Sequence, residues 1–144
     1  MVYFDAAFIA KCYLNEPNAQ FVRQFAYQAD GLASCQVGRV EFYSVLHRHL
    51  REGNIDSDEA HEVLSDFAQD ERDGVWQWFP LTSHLIHVVC DSIGALPSTA
   101  FLRAVDAIHL ACAKEHGFTE IYSNDRHMLD CAQYFGLKGI NLIP

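Results

Sequence analysis

The order of the segments along the chain constrains its fold most, because short apolar runs alternate with helix-like runs throughout. The apolar runs predict strands at 1–5, 31–35, 75–81, 119–125 and 139–143. Consecutive parallel strands need a helical crossover between them, so this alternation is typical of a parallel sheet with helices on both faces. The sequence therefore predicts an α/β fold with three layers, α/β/α.

Helical patterns fill the intervals between these strands. They lie at 7–14, within 15–29 after Pro17, and at 36–53, 56–71, 83–95, 100–113 and 126–136. We expect Gly53 and Gly136 to end two of these helices, because glycine tolerates the left-handed conformation that closes many helices. Capping acids and Ser57 are expected at the start of the helix over 56–71.

Length and charge narrow the class of protein. A chain of 144 residues is expected to form one domain, 1–144. No secretory leader and no apolar stretch long enough to span a membrane is recognised, which predicts a cytoplasmic protein. The net charge of −9 disfavours tight nonspecific binding to a phosphate backbone. It still permits an acidic site that reaches phosphates through a divalent cation.

Four carboxylates interrupt apolar stretches in four distant segments. Asp5 and Asp125 end two predicted strands, whereas Glu41 and Asp106 lie within helices that are otherwise apolar. The carboxyl ends of parallel strands form the edge where α/β proteins place their sites. Carboxylates brought together repel one another, and Mg²⁺ or Mn²⁺ relieves that repulsion because these ions prefer carboxylate oxygens and water. The pattern predicts a shared divalent-metal site.

Each acid also has a structural interpretation. The two acids that end strands are placed to cap the helices that follow them. Asp106 has Arg103 and His109 three residues away on either side, a spacing that allows pairing along a helix. Glu41 can pair with His47 or with an arginine from elsewhere. A shared site nevertheless explains all four acids together better than four separate pairings do.

Four segments, in this order, make the chain resemble the PIN domain family and, within it, the VapC-like toxin ribonucleases. The segments are VYFDAAFIAKCYLNEP, VGRVEFYSVLHR, LRAVDAIHLACA and IYSNDRHMLDCAQYFGLKGINLIP. Each segment carries one of the four acids, and the resemblance covers nearly the whole chain. It implies a parallel sheet of about five strands and metal-dependent cleavage of single-stranded RNA.

The resemblance also assigns roles to individual residues. It implies that the catalytic acids, which hold Mg²⁺ or Mn²⁺, are Asp5, Glu41, Asp106 and Asp125. Ser123 matches a family serine or threonine, and the neighbouring Asn124 is expected to support the site. The family usually has serine or threonine directly after the first acid, but this chain has Ala6 and Ala7. Alanine cannot hydrogen-bond a carboxylate or a phosphate, so this departure predicts weaker activity.

Partners are also expected from the resemblance: an RNA substrate, an antitoxin protein and a second copy of the chain in a homodimer. Arg39 and Arg48 form a candidate cationic rim for RNA, although they also fit a solvated helix face. Apolar residues of the segment 57–68 are expected to form a groove for the antitoxin or the dimer partner, together with Ala7, Phe8, Phe21 and Phe25. The aromatics of the strand over 75–81 are expected to pack in the core rather than to stack bases.

Two other functions fit parts of the sequence. A PIN-type fold that binds protein or RNA without catalysis agrees with Ala6 and Ala7, but it gives no physical reason to keep four mutually repelling acids. A phosphotransfer protein of the receiver or haloacid-dehalogenase type also has an aspartate after its first strand. The dehalogenase type needs a second aspartate where Ala7 stands, and the receiver type needs an acid pair that this chain lacks.

Overall fold

The computed structural model describes all 144 residues. Its strands are β1 (Val2–Tyr3), β2 (Leu32–Cys35), β3 (Trp76–Phe79), β4 (Glu120–Tyr122) and β5 (Lys138–Ile140). Its helices are α1 (Ala6–Tyr13), α2 (Ala19–Gln28), α3 (Gln36–Arg51), α4 (Ser57–Arg72), α5 (Ser83–Gly94), α6 (Ala104–Glu115) and α7 (Arg126–Cys131). A 3₁₀ turn, Ala132–Phe135, continues directly from α7.

All the strands pair in parallel. One hydrogen-bonded ladder runs in the order β1-β2-β3 and a second joins β4 to β5. A parallel bridge between Phe4 and Tyr122 connects the two ladders, and the N–H of Asp5 donates to the carbonyl of Tyr122 at 3.2 Å. The junction is short because Asp5 already begins the turn into α1. The strands therefore lie in the order β3-β2-β1-β4-β5, which confirms the predicted parallel α/β sheet.

Helices cover both faces of this sheet because neighbouring residues of a strand point to opposite sides. On one face, Tyr3 and Ile121 belong to a buried apolar cluster with residues of α5, α6 and α7. On the other face, Phe4 and Tyr122 belong to a second cluster with residues of α1 to α4. The two clusters are separate cores, one on each side of the sheet, and they confirm the three-layer α/β/α architecture.

The helix that carries Asp106 is shorter than predicted. The sequence predicts a helix from Ala100 with Asp106 near its middle, but α6 begins at Ala104 and Arg103 is its N-cap. Asp106 therefore lies in the first turn, where its side chain is 17% exposed. The residues before Ala104 are apolar because Ala100 and Leu102 pack against the core from a loop. Their hydrophobicity reflects burial rather than helical structure.

Other boundaries differ less. The predicted helix over 126–136 divides into α7 and the 3₁₀ turn, and Gly136 ends it in the left-handed conformation with φ of 67°, as predicted. The last strand, predicted over 139–143, is Lys138–Ile140. No helix of this chain combines the length and the apolar character that crossing a bilayer requires.

The aromatic residues of β3 and α1 lie in the core. Trp76 and Phe79 are buried, which confirms the prediction that the aromatics of this strand pack inside. The residues predicted to line a groove beside the segment 57–68 divide between the core and the surface. Phe8 and Phe67 are fully buried, and Phe25 packs against the same apolar cluster. These side chains fill the space between α1, α2 and α4, whereas Phe21 is 36% exposed, so the groove stays a prediction.

Candidate functional site

One surface cavity collects all four acids that the sequence singles out. It has a volume of about 350 Å³ and lies where the carboxyl ends of β1 and β4 meet α3 and α6. Its lining includes Asp5, Glu41, Asp106 and Asp125, together with Ala6, Ala7, Arg103 and His109. Residues from four distant segments therefore meet at the edge of the sheet where α/β proteins place their sites.

Asp5 and Asp125 each use their two carboxylate oxygens differently. Oδ1 of Asp5 accepts the N–H of Phe8 at 3.0 Å and caps α1, and Oδ1 of Asp125 accepts the N–H of Met128 at 3.1 Å and caps α7. The hydroxyl of Ser123 donates to Oδ2 of Asp5 and accepts the N–H of Asp125 at 2.9 Å. The capping role and a role in the cavity are thus compatible, because the cap occupies only one oxygen of each carboxylate.

Arg103 bridges two of the acids. Its Nε donates to Oδ2 of Asp106 at 3.1 Å, and its terminal nitrogen donates to Oδ2 of Asp125. This confirms the pairing of Asp106 with Arg103 that the sequence allowed. Burial raises the pKa of Asp106, although the charge of Arg103 opposes the shift and Asp125 adds to it. The guanidinium is 60% exposed, so it lies over the mouth of the cavity rather than inside it.

Glu41 is held by a chain of hydrogen bonds that leads into the core. His109, which is 1% exposed, donates from Nε2 to Oε2 of Glu41 at 2.7 Å. In the neutral ring this leaves Nδ1 to accept from the hydroxyl of Tyr3 at 3.1 Å. That hydroxyl accepts the N–H of Cys35 at 3.0 Å. The spacing along the helix allowed His109 to pair with Asp106. In the structure, His109 pairs with Glu41 instead.

Gly38 lets α3 approach α6 closely enough for this pairing. A Cβ at Gly38 would lie 3.1 Å from the His109 ring and 2.8 Å from the Ser34 hydroxyl, inside the normal contact distance. Glu41 follows Gly38 by three residues and so lies on the same side of α3. Gly38 is the residue in the sequence that indicates close packing of α3 against another helix. The sequence alone does not show that this other helix is α6.

Burial disfavours the charged form of two acids of the cavity, Asp5 and Asp106. It raises the pKa of Asp5 from 3.8 to about 6, although hydrogen bonds from Ser123 and Phe8 oppose the shift. Burial alone would lower the pKa of His109, but the hydrogen bond and charge of Glu41 outweigh it and raise that pKa. The four carboxylates are partly shielded from solvent, and only Arg103 and His109 lie near them to offset their negative charge. Such a group of carboxylates is suited to bind a cation.

The amino-acid sequence matches one protein family, the PIN domain, over residues 2–133. The chain belongs to the PIN domain family. PIN domains are generally nucleases, which hydrolyse phosphodiester bonds, and they usually bind divalent metals. No curated protein sequence matches the chain.

Solved structures with the same fold differ widely from this PIN domain in sequence. FitAB bound to a DNA fragment is 14% identical with a TM-score of 0.65, and the match covers 99% of this chain and 95% of that one. PAE2754 from Pyrobaculum aerophilum is 17% identical with a TM-score of 0.60, and the match covers 96% of this chain and 83% of that one. At this level of identity, the similarity establishes the fold.

The donor atoms in the cavity of this PIN domain suit Mg²⁺ or Mn²⁺. All four acids supply hard carboxylate oxygens, and no thiol lines the cavity. No three His, Cys, Asp or Glu side chains of the chain converge closely enough to hold one ion in the present arrangement. The guanidinium of Arg103 lies between Asp106 and Asp125 and contacts both. The chemistry of the donor set fits a divalent cation, which would have to displace this guanidinium from the two carboxylates.

The other predicted site residues lie around this cavity rather than in it. Ser123 is buried and joins Asp5 to Asp125. Arg48 and Asn124 line a neighbouring polar cavity of about 510 Å³. Arg39 forms a salt bridge with Glu71 of α4 at 2.6 Å and does not line either cavity.

The roles of two residues of the site differ from what the sequence predicts. The sequence predicts Tyr3 only as part of a strand, and it predicts His109 only as a partner of Asp106 along the same helix. A histidine three residues after Asp106, within an apolar helix, was the available signal for a buried polar contact. Its partner on another helix was not visible in the sequence.

Proposed function

We propose that this PIN domain is a metal-dependent endoribonuclease that cleaves single-stranded RNA with Mg²⁺ or Mn²⁺. One observation carries the proposal: four carboxylates from four distant segments line one cavity, and only Arg103 and His109 lie among them to offset their charge. Such an arrangement costs folding free energy, and a bound cation would offset that cost.

Asp5, Glu41, Asp106 and Asp125 would hold the cation through their carboxylate oxygens. When bound, the cation supplies Lewis-acid activation of water and shields the negative charge that develops on the phosphodiester. One of these acids would also take a proton from water during the reaction.

The surrounding residues orient these acids. His109 fixes Oε2 of Glu41, Ser123 fixes Oδ2 of Asp5, and the helix caps fix the other oxygens of Asp5 and Asp125. Arg103, displaced from its two carboxylates by the cation, would remain at the mouth of the cavity, where its guanidinium can bind a phosphate of the substrate.

RNA contacts outside the cavity would come from the neighbouring polar cavity, where Arg48 and the amide of Asn124 face the same space. Arg48 forms no salt bridge with a carboxylate in this structure, so it is free to bind a phosphate. Arg39 could contribute in the same way only after releasing Glu71.

We further propose, from the resemblance of the four segments to the VapC-like ribonucleases, that the protein is the toxin of a toxin–antitoxin pair and forms a homodimer. Light scattering of the purified protein tests the dimer. Co-expression with the product of an adjacent gene and joint purification tests the antitoxin, which should inhibit cleavage when bound.

The nuclease is tested with purified protein and mixed single-stranded RNA in Mn²⁺ or Mg²⁺, beside an EDTA control and Asp106→Asn. We expect cleavage that requires the metal and is lost in the variant. Asp58→Asn, in the first turn of α4, is the matched control, because it removes an exposed acid from the first turn of a different helix. Cleavage that persists in EDTA or in Asp106→Asn would contradict the proposal.

A PIN fold that binds protein or RNA without catalysis is the second candidate. It is favoured by Ala6 and Ala7 in the cavity lining and by Arg103, which satisfies Asp106 and Asp125 without a metal. In that case, the wild-type protein would bind no Mn²⁺ and Arg103→Ala would be strongly destabilising. In the nuclease, Arg103→Ala would instead strengthen Mn²⁺ binding, because the guanidinium no longer competes for the carboxylates.

A further inference from the structure

An exposed aromatic cluster lies next to the acid cavity. The rings of Phe101 and His127 have centroids 4.5 Å apart and planes inclined by 56°. Phe101 is 58% exposed and Tyr134 is 49% exposed. All three side chains line a cavity of about 280 Å³ formed by the loop before α6 and by α7 with its 3₁₀ extension.

Chain connectivity fixes this cluster beside the acids. Phe101 precedes Arg103 by two residues, and His127 follows Asp125 by two residues. Two residues of chain span at most about 7 Å, so both residues lie within reach of a nucleotide adjacent to one bound at the acids.

The exposure of Phe101 is not a consequence of a loose loop. The thiol of Cys131 donates to the carbonyl of Phe101 at 3.3 Å, and the neighbouring Ala100 and Leu102 pack against the core. The backbone is therefore anchored on both sides of Phe101 while its ring stays outside. The aromatic rings of Trp76 and Phe79 in β3 are buried in the core, whereas the ring of Phe101 is left at the surface.

The lining of this cavity fits a nucleobase better than it fits an apolar peptide. Half of its lining residues are polar, and these include Asp130 and Gln133. The amide nitrogen of Gln133 donates to the carbonyl of Asp130 at 2.9 Å, which leaves Oε1 of Gln133 to accept from the edge of a base. Arg103 and Arg126 lie on either side in sequence, and flanking phosphates would compete for them with the carboxylates that they contact. Aromatic faces beside cations are how proteins bind single-stranded nucleic acid without reading its sequence.

Resting on the proposed nuclease function, we propose that Phe101 and His127 form a base-stacking subsite for the nucleotide next to the scissile phosphate of single-stranded RNA. The base stacks on the Phe101 ring, and Asp130 and Gln133 face its edge. This subsite holds the strand in place and takes no part in the chemistry.

The test uses a short single-stranded RNA that contains 2-aminopurine, a fluorescent adenine analogue whose emission is quenched when it stacks. Binding is followed in EDTA at low salt, so that the strand stays intact. Phe101→Ala should lose the quenching and bind roughly 5- to 100-fold more weakly, the range for removal of one stacked base. Phe101→Trp should restore both. Tyr27→Ala, which removes an aromatic that is 93% exposed on α2, should change neither.

A second readout separates this inference from the nuclease proposal. If the protein cleaves RNA, Phe101→Ala should raise KM and leave kcat unchanged, since the subsite binds without reacting. Absence of quenching by the wild type, or quenching and binding that Phe101→Ala leaves unchanged, would overturn the subsite, even if cleavage is observed. Quenching that depends on Phe101, without any metal-dependent cleavage, would support the subsite and overturn the nuclease. Binding of a protein partner on Phe101 with no RNA quenching would also overturn the subsite.

Discussion

Two polar cavities meet at the neighbouring residues Asn124 and Asp125, but they balance their charges differently. In the larger cavity, Lys11 donates to Glu16 at 3.2 Å and to the carbonyl of Pro17 at 3.0 Å, and His49 contacts the other oxygen of Glu16 at 3.0 Å. Every charged group of this lysine cluster, Lys11, Glu16 and His49, has a partner within the cluster.

The acid cavity has a surplus of negative charge instead. Its four carboxylates face one guanidinium at the rim and one buried imidazole. A cluster that is balanced needs no ligand and stabilises the fold, whereas a cluster with surplus charge is stabilised when a cation binds. We therefore expect changes in the lysine cluster to affect stability and changes in the acid cavity to affect function.

The largest expected effect is on cleavage in Asp125→Asn. Asparagine still caps α7, so the fold should persist while the charge at Oδ2 is lost. We expect cleavage of single-stranded RNA in Mn²⁺ to fall by more than about 100-fold, the upper range for groups that merely orient metal ligands. Asp56→Asn is the matched control, because Asp56 caps α4 in the same way far from the cavity. An equal loss of cleavage in both variants would show that cleavage depends on the helix caps and not on the charge of Asp125.

The next effect is on stability in Lys11→Met. The substitution leaves the largely buried Glu16 with only His49 as a partner. We therefore expect the free energy of unfolding to fall by about 2–3 kcal/mol, which is less than the loss on breaking a fully buried ion pair. The Lys11 and Glu16 side chains are 8% and 15% exposed. Urea denaturation measures the loss. Cleavage per folded molecule should match the wild type, and a variant that folds but does not cleave would break the distinction between the two cavities.

Asp5→Asn should make the metal-free protein more stable at neutral pH. The pKa of Asp5 is about 6 in the folded protein against its ordinary 3.8, so its contribution to stability is present at low pH and lost as the pH rises through 6. A shift of this size is worth about 3 kcal/mol, and loss of the charged hydrogen bond from Ser123 offsets part of it. We expect the variant to gain about 2 kcal/mol at pH 7.5.

Urea denaturation in EDTA between pH 4 and pH 8 checks this prediction. The advantage of Asp5→Asn should shrink steadily as the pH falls from 6 to 4, because the wild-type carboxyl becomes protonated in the folded state. An advantage that does not depend on pH, or a variant less stable than the wild type at pH 7.5, would show that Asp5 is a satisfied structural acid like Glu16.

The smallest expected effect is that of Tyr3→Phe on metal affinity. Its hydroxyl supports His109, which in turn holds Glu41, so its loss should weaken Mn²⁺ binding by roughly 10-fold. Tyr13→Phe is the control, because the hydroxyl of Tyr13 lies in a comparable network with Asp70 and Trp76 on the other side of the sheet. Calorimetric titration with Mn²⁺ compares the two. Equal Mn²⁺ affinities of Tyr3→Phe and Tyr13→Phe would show that the hydroxyl of Tyr3 does not support the metal site.

The fold was largely predictable from the sequence, because the alternation of apolar runs and helices determines a parallel sheet with two covered faces. The four acids were predictable because each interrupts an apolar segment. The start of α6 was not, because loop residues that pack on the core, such as Leu102, are as apolar as helix residues.

The partners within the site were also beyond the sequence. His109 reaches Glu41 on another helix through the space that Gly38 leaves, and the identity of that neighbour depends on how α3 packs against α6. The exposed ring of Phe101 looks in the sequence like one more core residue of an apolar stretch. Spacing along one helix predicts local pairs such as Arg103 with Asp106, but it cannot predict contacts between elements.

Calorimetric titration of the wild-type protein and of Asp106→Asn with Mn²⁺ tests most directly whether the surplus charge of the acid cavity serves a metal. We predict that the wild type binds Mn²⁺, that Asp106→Asn binds it at least about 10-fold more weakly, and that Asp56→Asn binds it as the wild type does. Absence of binding to the wild type, or equal binding by all three proteins, would contradict the account and leave Asp106 as the ion-pair partner of Arg103.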